Sequence, residues 1–411
     1  MQGECKVMCQ DLRAVLWMAF GAAIERVNGE RAVLQALAGT APDRPVHLIA
    51  VGKAAAAMTR GALASLGDHI RDGVVITKHG HLEGLSDQRL RLLEADHPVP
   101  GQASLTAGAA LVDYIASLPA QDRLLALISG GASSLVEVLP DGFSLEDLRA
   151  LTQVLLASGL DIHAINRIRK SVSMIKGGKL LNAGAIRDIE VLLISDVRGD
   201  DPGMIGSGLF YPDTDPSVVE WPEAAAVFQA RLPQCARASA QFTPPHRIVA
   251  SLSDAMSAAA EPARGAGFEV FQHDRFLDGE VGVVADELAG FLISAPKGIH
   301  LWGGETTVVL PEKPGRGGRN QHLGLCLAQR ISGKSRMAIL TAGTDGTDGP
   351  GDDAGALVDG GTVARGEAAG VSLQAALAGF DAGRFLEASG DLVNTGPTGT
   401  NVMDLVIAAV A

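Results

Sequence analysis

The chain has 411 residues, of which 47% are hydrophobic and 20% charged, a composition typical of a globular protein long enough for two domains. Its formal net charge of −13 argues against a nucleic-acid partner, because such a partner needs a clustered positive surface. The four cysteines are too few and too scattered for a disulfide framework.

The N-terminal apolar stretch, residues 14–24, is short for a membrane span, and no signal-peptide cleavage pattern follows it. We interpret it as an amphipathic first helix. The expectation is therefore a cytoplasmic protein without a membrane partner.

In the first half of the chain, apolar runs of strand length alternate with helical segments. An alanine-rich helix is predicted at 54–66, and strands are predicted at 46–51, 74–77, 91–95, 124–128 and 191–194. Strands separated by helices need crossover connections, which predicts a mostly parallel sheet covered on both faces.

Six prolines interrupt the pattern between residues 211 and 245, which indicates a domain boundary. A helix is predicted after it at 319–331, with strands at 247–252, 268–271, 299–302, 306–310 and 337–341. The predicted fold class is α/β with two domains, a Rossmann-like domain at 1–235 and a second at 236–411. Each should have a mostly parallel or mixed sheet flanked by helices.

The segment 340–355 (LTAGTDGTDGPGDDAG) places four aspartates and five glycines directly after an apolar run. A buried strand that ends in this way delivers carboxylates to the edge of a sheet where ligands bind. Such carboxylates can hold Mg²⁺ or accept a proton from a hydroxyl. The alternative interpretation is an ordinary Asp/Gly turn on a solvated loop.

Three further segments carry groups suited to anions. Residues 129–134 (SGGASS) follow a strand and can cradle phosphate oxygens. Residues 166–178 concentrate four cations, which fits either a solvated basic helix or a rim that attracts a polyphosphate. Arg319 opens a helix after adjacent glycines, and Lys53 follows the first strong strand.

The common nucleotide motifs are absent from the sequence. A Walker A motif ending in Gly333 and Lys334 would need glycine where Ala328 stands. There is no G-x-G-x-x-G and no G-x-S-x-G nucleophile elbow. The predicted phosphate-binding loops therefore match no standard nucleotide-binding motif.

The order of the glycine-rich motifs resembles the type II glycerate 2-kinases, whose C-terminal part is known by its MOFRL signature. The resemblance runs almost end to end. In the first half it rests on residues 51–54 (VGKA), 96–98 (DHP), 129–134 (SGGASS), 176–178 (KGG) and 195–197 (SDV). In the second half it rests on 303–307 (GGETT), 317–321 (GGRNQ), 343–346 (GTDG) and 395–401 (TGPTGTN).

The resemblance implies two α/β domains, the second of MOFRL type, with the active site in the cleft between them. It also implies transfer of the γ-phosphoryl group of ATP to the 2-hydroxyl of D-glycerate or a related short hydroxy acid, with Mg²⁺ as cofactor. It leaves a homodimer open.

On this basis the catalytic candidates are Lys53, Arg319, Asp196 and Asp345. Arg319 and Lys53 would act on the substrate carboxylate or the transferring phosphoryl group. Asp196 and Asp345 would serve as metal ligand and general base, with the division between them open. Nucleotide contacts are assigned to Ser129, Gly130, Gly131, Ser133, Ser134, Lys176 and Glu305.

Six positions depart from the family pattern, namely Ser171, Leu209, Phe210, His322, Ala382 and Met403. The charged positions survive, so we expect the chemistry to be retained and the departures to bear on acceptor specificity and some nucleotide contacts. The alternatives are an NAD(P)H-dependent hydroxypyruvate reductase and a non-catalytic homologue that binds an organic acid or a nucleotide.

Overall fold

The computed structural model describes residues 2–82, 84–160, 162–213, 220–232, 240 and 242–411, without the side chains of 2–11, 162 and 163. The chain forms two compact units. Residues 29–249 form the first, called here the sheet A unit, and residues 1–28 with 250–411 form the second, the sheet B unit.

Sheet A has six strands, β1 (Val46–Val51), β2 (Ile70–Lys78), β3 (Leu90–Ala95), β4 (Arg123–Ile128), β5 (Asp188–Ile194) and β6 (His246–Ala250). Their order is β3-β2-β1-β4-β5-β6, and β1 to β5 pair in parallel. The order reverses between β1 and β4. In open α/β sheets, ligands bind beyond the carboxyl ends of the strands at such a reversal.

The helices of the sheet A unit are α2 (Gly29–Ala36), α3 (Ala55–Leu66), α4 (Gln102–Ser117), α5 (Ala132–Leu135), α6 (Leu145–Ala157), α7 (Ile162–Ser171) and α8 (Ala226–Gln229). Short 3-10 turns occur at Gly67–His69, Lys179–Asn182, Ile205–Ser207 and Glu223–Ala225. All six residues of β1 are buried, as expected for a central parallel strand covered on both faces.

Sheet B has six strands, β7 (Val270–Gln272), β8 (Gly298–Gly304), β9 (Met337–Gly343), β10 (Gly355–Asp359), β11 (Leu392–Val393) and β12 (Asp404–Val410). Their order is β11-β10-β9-β12-β8-β7. Only the pair β7–β8 is parallel among the described pairs. The expected α/β class with two sheets flanked by helices is confirmed, and the sheets are one parallel and one mixed.

The helices of the sheet B unit are α1 (Gln2–Val27), α9 (Leu252–Gly265), α10 (Val281–Ser294), α11 (Arg319–Arg330), α12 (Thr362–Ala368), α13 (Leu373–Ala378) and α14 (Ala382–Ser389). None of the helices in the described parts of the chain combines the length and apolar character needed to cross a bilayer.

The first helix lies with the second half of the chain. α1 packs against α9, and Arg26 pairs with Asp254 at 2.6 Å. Arg13 pairs with Asp359 at 2.7 Å and with Asp391 at 2.9 Å. The compact units therefore differ from the division predicted at residue 235, which kept the first helix in the N-terminal domain.

The strand predicted at 306–310 is wrong. Thr307 makes one isolated bridge with Glu280, and the described residues offer the segment no continuous partner. Val309 and Leu310 are exposed. Thr and Val favour a pleated surface, but a strand also needs a neighbour to satisfy its backbone.

Helix α11 lies close to sheet B because Gly324 faces it. A methyl group at Gly324 would lie 2.6 Å from the Cβ of Ala356 and 2.9 Å from the hydroxyl of Thr341. That hydroxyl donates to the carbonyl of Asn320 at 2.8 Å. The first turn of α11 is thereby fixed onto β9.

Two glycine-to-alanine substitutions test this close approach. Gly290 lies inside α10 with open space around it, so Gly290→Ala should raise the free energy of unfolding by about 0.5–1 kcal/mol. Gly324→Ala gains the same helix propensity but overpacks the interface, and should lower that free energy by about 1–3 kcal/mol. Urea unfolding of both variants measures the difference, and equal effects would contradict the packing.

Candidate active site

Strands β8 and β9 finish, and strand β12 begins, at one end of sheet B, called here the sheet B edge. Charged residues lie at or just beyond these strand ends. β12 lies between β8 and β9 and is antiparallel to both, and Asp404 at its start pairs with Gly304 and Gly343. Because β8 and β9 end where β12 begins, Glu305 and Asp345 follow the same edge. Two predicted site carboxylates thus share this edge with Asp404.

Arg319 begins α11 and is held by two of these carboxylates. Its Nε and Nη2 donate to the two carboxylate oxygens of Asp404 at 2.6 and 3.0 Å, and its Nη1 lies 2.8 Å from Glu305. Burial opposes the charge, yet the hydrogen bonds and charge of Asp404, with smaller effects of Glu305 and Asp348, raise the pKa of Arg319. The guanidinium remains a cation oriented by its Nε edge.

Asp348 caps the start of the same helix from the loop after β9. Its carboxylate accepts the backbone N–H groups of Asn320 at 3.0 Å and Gln321 at 2.8 Å, which would otherwise lack partners in the first helical turn. Burial raises the pKa of Asp348 to about 6, although the two N–H donors oppose that shift. The cap fixes the position from which Arg319 extends.

Asp345 lies in a turn that the segment 395–403 holds in place. Its Oδ1 accepts the backbone N–H and the hydroxyl of Thr347, both at 3.1 Å. The neighbouring Thr344 donates its hydroxyl to the carbonyl of Met403 at 2.7 Å and accepts the N–H of Val402 at 2.8 Å. The hydroxyl of Thr398 donates to the carbonyl of Thr344 at 2.6 Å, so the motif at 395–401 borders the turn that carries Asp345.

In the sheet A unit, the turns after β1 and β4 pack directly on each other. The N–H of Lys53 donates to Gly130 at 2.9 Å, and the N–H of Ala54 donates to the hydroxyl of Ser129 at 3.0 Å. Gly52 has φ +134, and a Cβ there would lie 2.1 Å from that hydroxyl, so only glycine fits. Lys53 and Ser129 thus meet at the reversal of strand order.

The hydroxyls of the loop 129–134 bind protein groups in this structure. The Ser133 and Ser207 hydroxyls lie 2.7 Å apart, and Ser134 donates to the carbonyl of Gly131 at 3.0 Å. Gly131 has a left-handed conformation and precedes α5. These contacts hold the loop in place. Its contacts with nucleotide phosphates stay a prediction.

Lys176 lies in the interior of the sheet A unit. Its side chain is 1% exposed and forms a short ion pair with Glu137, which also accepts the hydroxyl of Ser173 at 2.5 Å. Burial lowers the pKa of Lys176, and Glu137 opposes that effect. Lys170 is buried as well and lies 3.7 Å from Asp213. This part of the predicted basic rim is therefore not a solvated surface, and the nucleotide contact of Lys176 stays a prediction.

Asp196 follows β5 by two residues, at the same edge of sheet A as the turns after β1 and β4. No three His, Cys, Asp or Glu side chains within the described ranges are grouped to hold a metal ion. Mg²⁺ differs from structural metals because one or two carboxylates with substrate phosphates can hold it. Asp196 and Asp345 fit that requirement in type.

The departures from the family pattern have local settings. Leu209 and Phe210 are part of the apolar core of the sheet A unit, and His322 stacks on Phe380 with ring centroids 4.2 Å apart. Met403 has φ +71, a conformation that Asn tolerates better than Met. The remaining two are Ser171, which donates to the carbonyl of Ile168, and Ala382, which is buried.

Sequence reasoning missed two structural partners, Asp404 and Glu137, and the capping role of Asp348. A signal existed for Asp404, since it precedes the apolar run 405–410 that forms β12. Asp348 is one of the four aspartates of the segment 340–355, but nothing in the sequence indicated its capping role. Glu137 had no signal, because its contact depends on the folded chain.

Comparison with known proteins bears on the whole chain. Residues 15–235 match a family described as a domain of unknown function (DUF4147), and residues 298–404 match the MOFRL family. A D-glycerate 2-kinase of Thermotoga maritima is 37% identical over 93% of this chain and 95% of its own. A putative hydroxypyruvate reductase of Agrobacterium vitis is 38% identical over 98% of this chain and 96% of its own.

A solved structure is similar across the same length. The crystal structure of a glycerate kinase from Thermotoga maritima superposes with a TM-score of 0.85 at 34% identity. The match covers 98% of this chain and 100% of that one.

The cap at Asp348 predicts a pH dependence of stability. Its folded pKa of about 6 exceeds the ordinary value of 3.8, so the native state binds more protons between these limits and stability falls as pH rises through them. Relative to Asp348→Asn, the wild type should lose up to about 3 kcal/mol of unfolding free energy between pH 4 and 7. Urea unfolding across this range measures it, and a difference independent of pH would contradict it.

Proposed function

Because this chain belongs to the MOFRL family, we propose that it is a glycerate 2-kinase, which transfers the γ-phosphoryl group of ATP to the 2-hydroxyl of D-glycerate. Its relatives named glycerate 2-kinase or glycerate kinase match nearly full length in sequence and in structure. We further propose which residues carry the chemistry and that a metal ion takes part.

One observation carries the assignment of chemistry. The sheet B edge presents a guanidinium at a helix N-terminus, fixed by the buried Asp404, with Glu305 and Asp345 at the same edge. Phosphoryl transfer asks the protein for positioning and for stabilisation of charge on the transferring oxygens. A fixed guanidinium supplies that stabilisation, because its donors are oriented before the charge develops.

We propose the following roles for the predicted site residues. Arg319 binds the substrate carboxylate or the transferring phosphoryl group, and Lys53 supplies a second cation at the edge of sheet A. Either Asp345 or Asp196 accepts the proton of the 2-hydroxyl, and the other holds the metal. The loop 129–134 faces the nucleotide, as the reversal of strand order predicts.

The proposed metal is Mg²⁺, which would neutralise charge on the phosphates of ATP when bound. Asp196 or Asp345, whichever is not the general base, is the residue proposed to hold it. A cytoplasmic location and a homodimer stay predictions.

The name hydroxypyruvate reductase, carried by some relatives, is the second candidate. The chain contains no G-x-G-x-x-G after any strand, so it has no recognisable site for a nicotinamide dinucleotide. We therefore favour the kinase.

Incubation with ATP, Mg²⁺ and D-glycerate tests the function, with ³¹P and ¹H NMR identifying the product. We expect ADP and 2-phosphoglycerate, with turnover lost in EDTA and restored by added Mg²⁺ or Mn²⁺. Oxidation of NADH by hydroxypyruvate, measured in parallel, should be absent. Formation of 3-phosphoglycerate would refute the regiochemistry, and NADH oxidation without ADP formation would refute the kinase.

A further inference from the structure

The two carboxylates that bind Arg319 are unequal. Asp404 is 8% exposed and meets the guanidinium at both Nε and Nη2. Glu305 is 48% exposed and meets it at Nη1 alone. Asp404 also belongs to a strand paired on both sides, whereas Glu305 follows the last residue of β8.

From this asymmetry we infer that Glu305 is a placeholder, which occupies Nη1 of Arg319 until an oxyanion of the substrate displaces it. The inference rests on the proposed function and deepens it. Asp404 remains bound throughout and acts as a positioning residue, while the Nη1 side of Arg319 is the one that exchanges partners.

The energetics favour exchange at Glu305 and retention at Asp404. Separating a buried charge pair leaves an uncompensated charge, whereas a solvent-exposed pair contributes little and its carboxylate can return to water. An incoming carboxylate or phosphoryl group is also an anion and offers oxygen acceptors like those of Glu305. Binding therefore replaces one anion by another and leaves Arg319 paired before and after.

A second arginine of the sheet B unit also contacts two carboxylates, and it has no proposed role in the reaction. Arg316 contacts the little-exposed Asp353 at 2.8 Å and the exposed Glu387 at 2.7 Å. This arrangement repeats the buried and exposed carboxylates around Arg319. Glu387→Gln therefore removes the same charge from the same unit and serves as the control for Glu305→Gln.

The test measures binding by calorimetry at constant ionic strength, with sulfate, D-glycerate and ATP as separate ligands. Glu305→Gln should bind sulfate about two- to five-fold more tightly than wild type, because the competing carboxylate is gone. The KM for the substrate that uses Arg319 should fall by a similar factor. Tighter binding of D-glycerate would assign its carboxylate to Arg319. Tighter binding of ATP would assign the phosphoryl group to Arg319.

Three results would overturn the placeholder role. These are unchanged or weaker binding of all three ligands, an equal effect in Glu387→Gln, or a fall in kcat with KM unchanged, which would assign Glu305 to the chemical step. Sulfate binding distinguishes a failure of the placeholder role from a failure of the kinase assignment. Tighter sulfate binding without D-glycerate turnover would retain the placeholder and refute the kinase, whereas turnover without tightening would do the reverse.

Discussion

The ion pair between Arg319 and Asp404 is the interaction on which the sheet B edge depends. It exists because β12 runs antiparallel between β8 and β9 and places Asp404 opposite Gly304 and Gly343. A shift of one residue in this register would turn Asp404 to the other face of the sheet and leave the guanidinium without its bidentate partner.

The same pair links stability to the proposed role of Arg319. Asp404 is buried, and removing the partner of a buried charge typically costs about 3–5 kcal/mol, so the fold itself maintains the orientation of Arg319. Asp348 caps the helix and Thr341 bonds its first turn, so Arg319 extends from a fixed backbone. The position of this cation is therefore set before any ligand arrives, which is the condition for electrostatic stabilisation of transferred charge.

Apolar patterning predicted the central strands well, because runs such as 46–51 and 124–128 are buried on both faces and need no other signal. It failed at 306–310, where the side chains suit a strand but the described residues provide no continuous neighbour. β12 was overlooked although its run is apolar. Motif order made Arg319 and the loops candidates, because glycine spacing at strand ends is visible in the sequence, and their roles stay predictions.

Contacts between distant residues could not be predicted in this way. Lys176 belongs to a basic segment, yet it is buried and paired with Glu137, which lies 39 residues earlier in the chain. Whether a cation is solvated or paired depends on tertiary packing, which local composition does not reveal. The partners of Arg319 are likewise separated in sequence, Asp404 by 85 residues, and only the sheet register joins them.

Steady-state kinetics of Arg319→Lys with ATP and D-glycerate test the central claim most directly, with Arg316→Lys as the matched control. An ammonium cannot reproduce the guanidinium fork, so kcat should fall about 10²-fold or more if Arg319 binds the transferring group. If it binds the acceptor carboxylate, the KM for D-glycerate should rise while kcat is largely kept. Arg316→Lys should leave both constants near wild type. Wild-type constants for Arg319→Lys would contradict the account and remove Arg319 from the site.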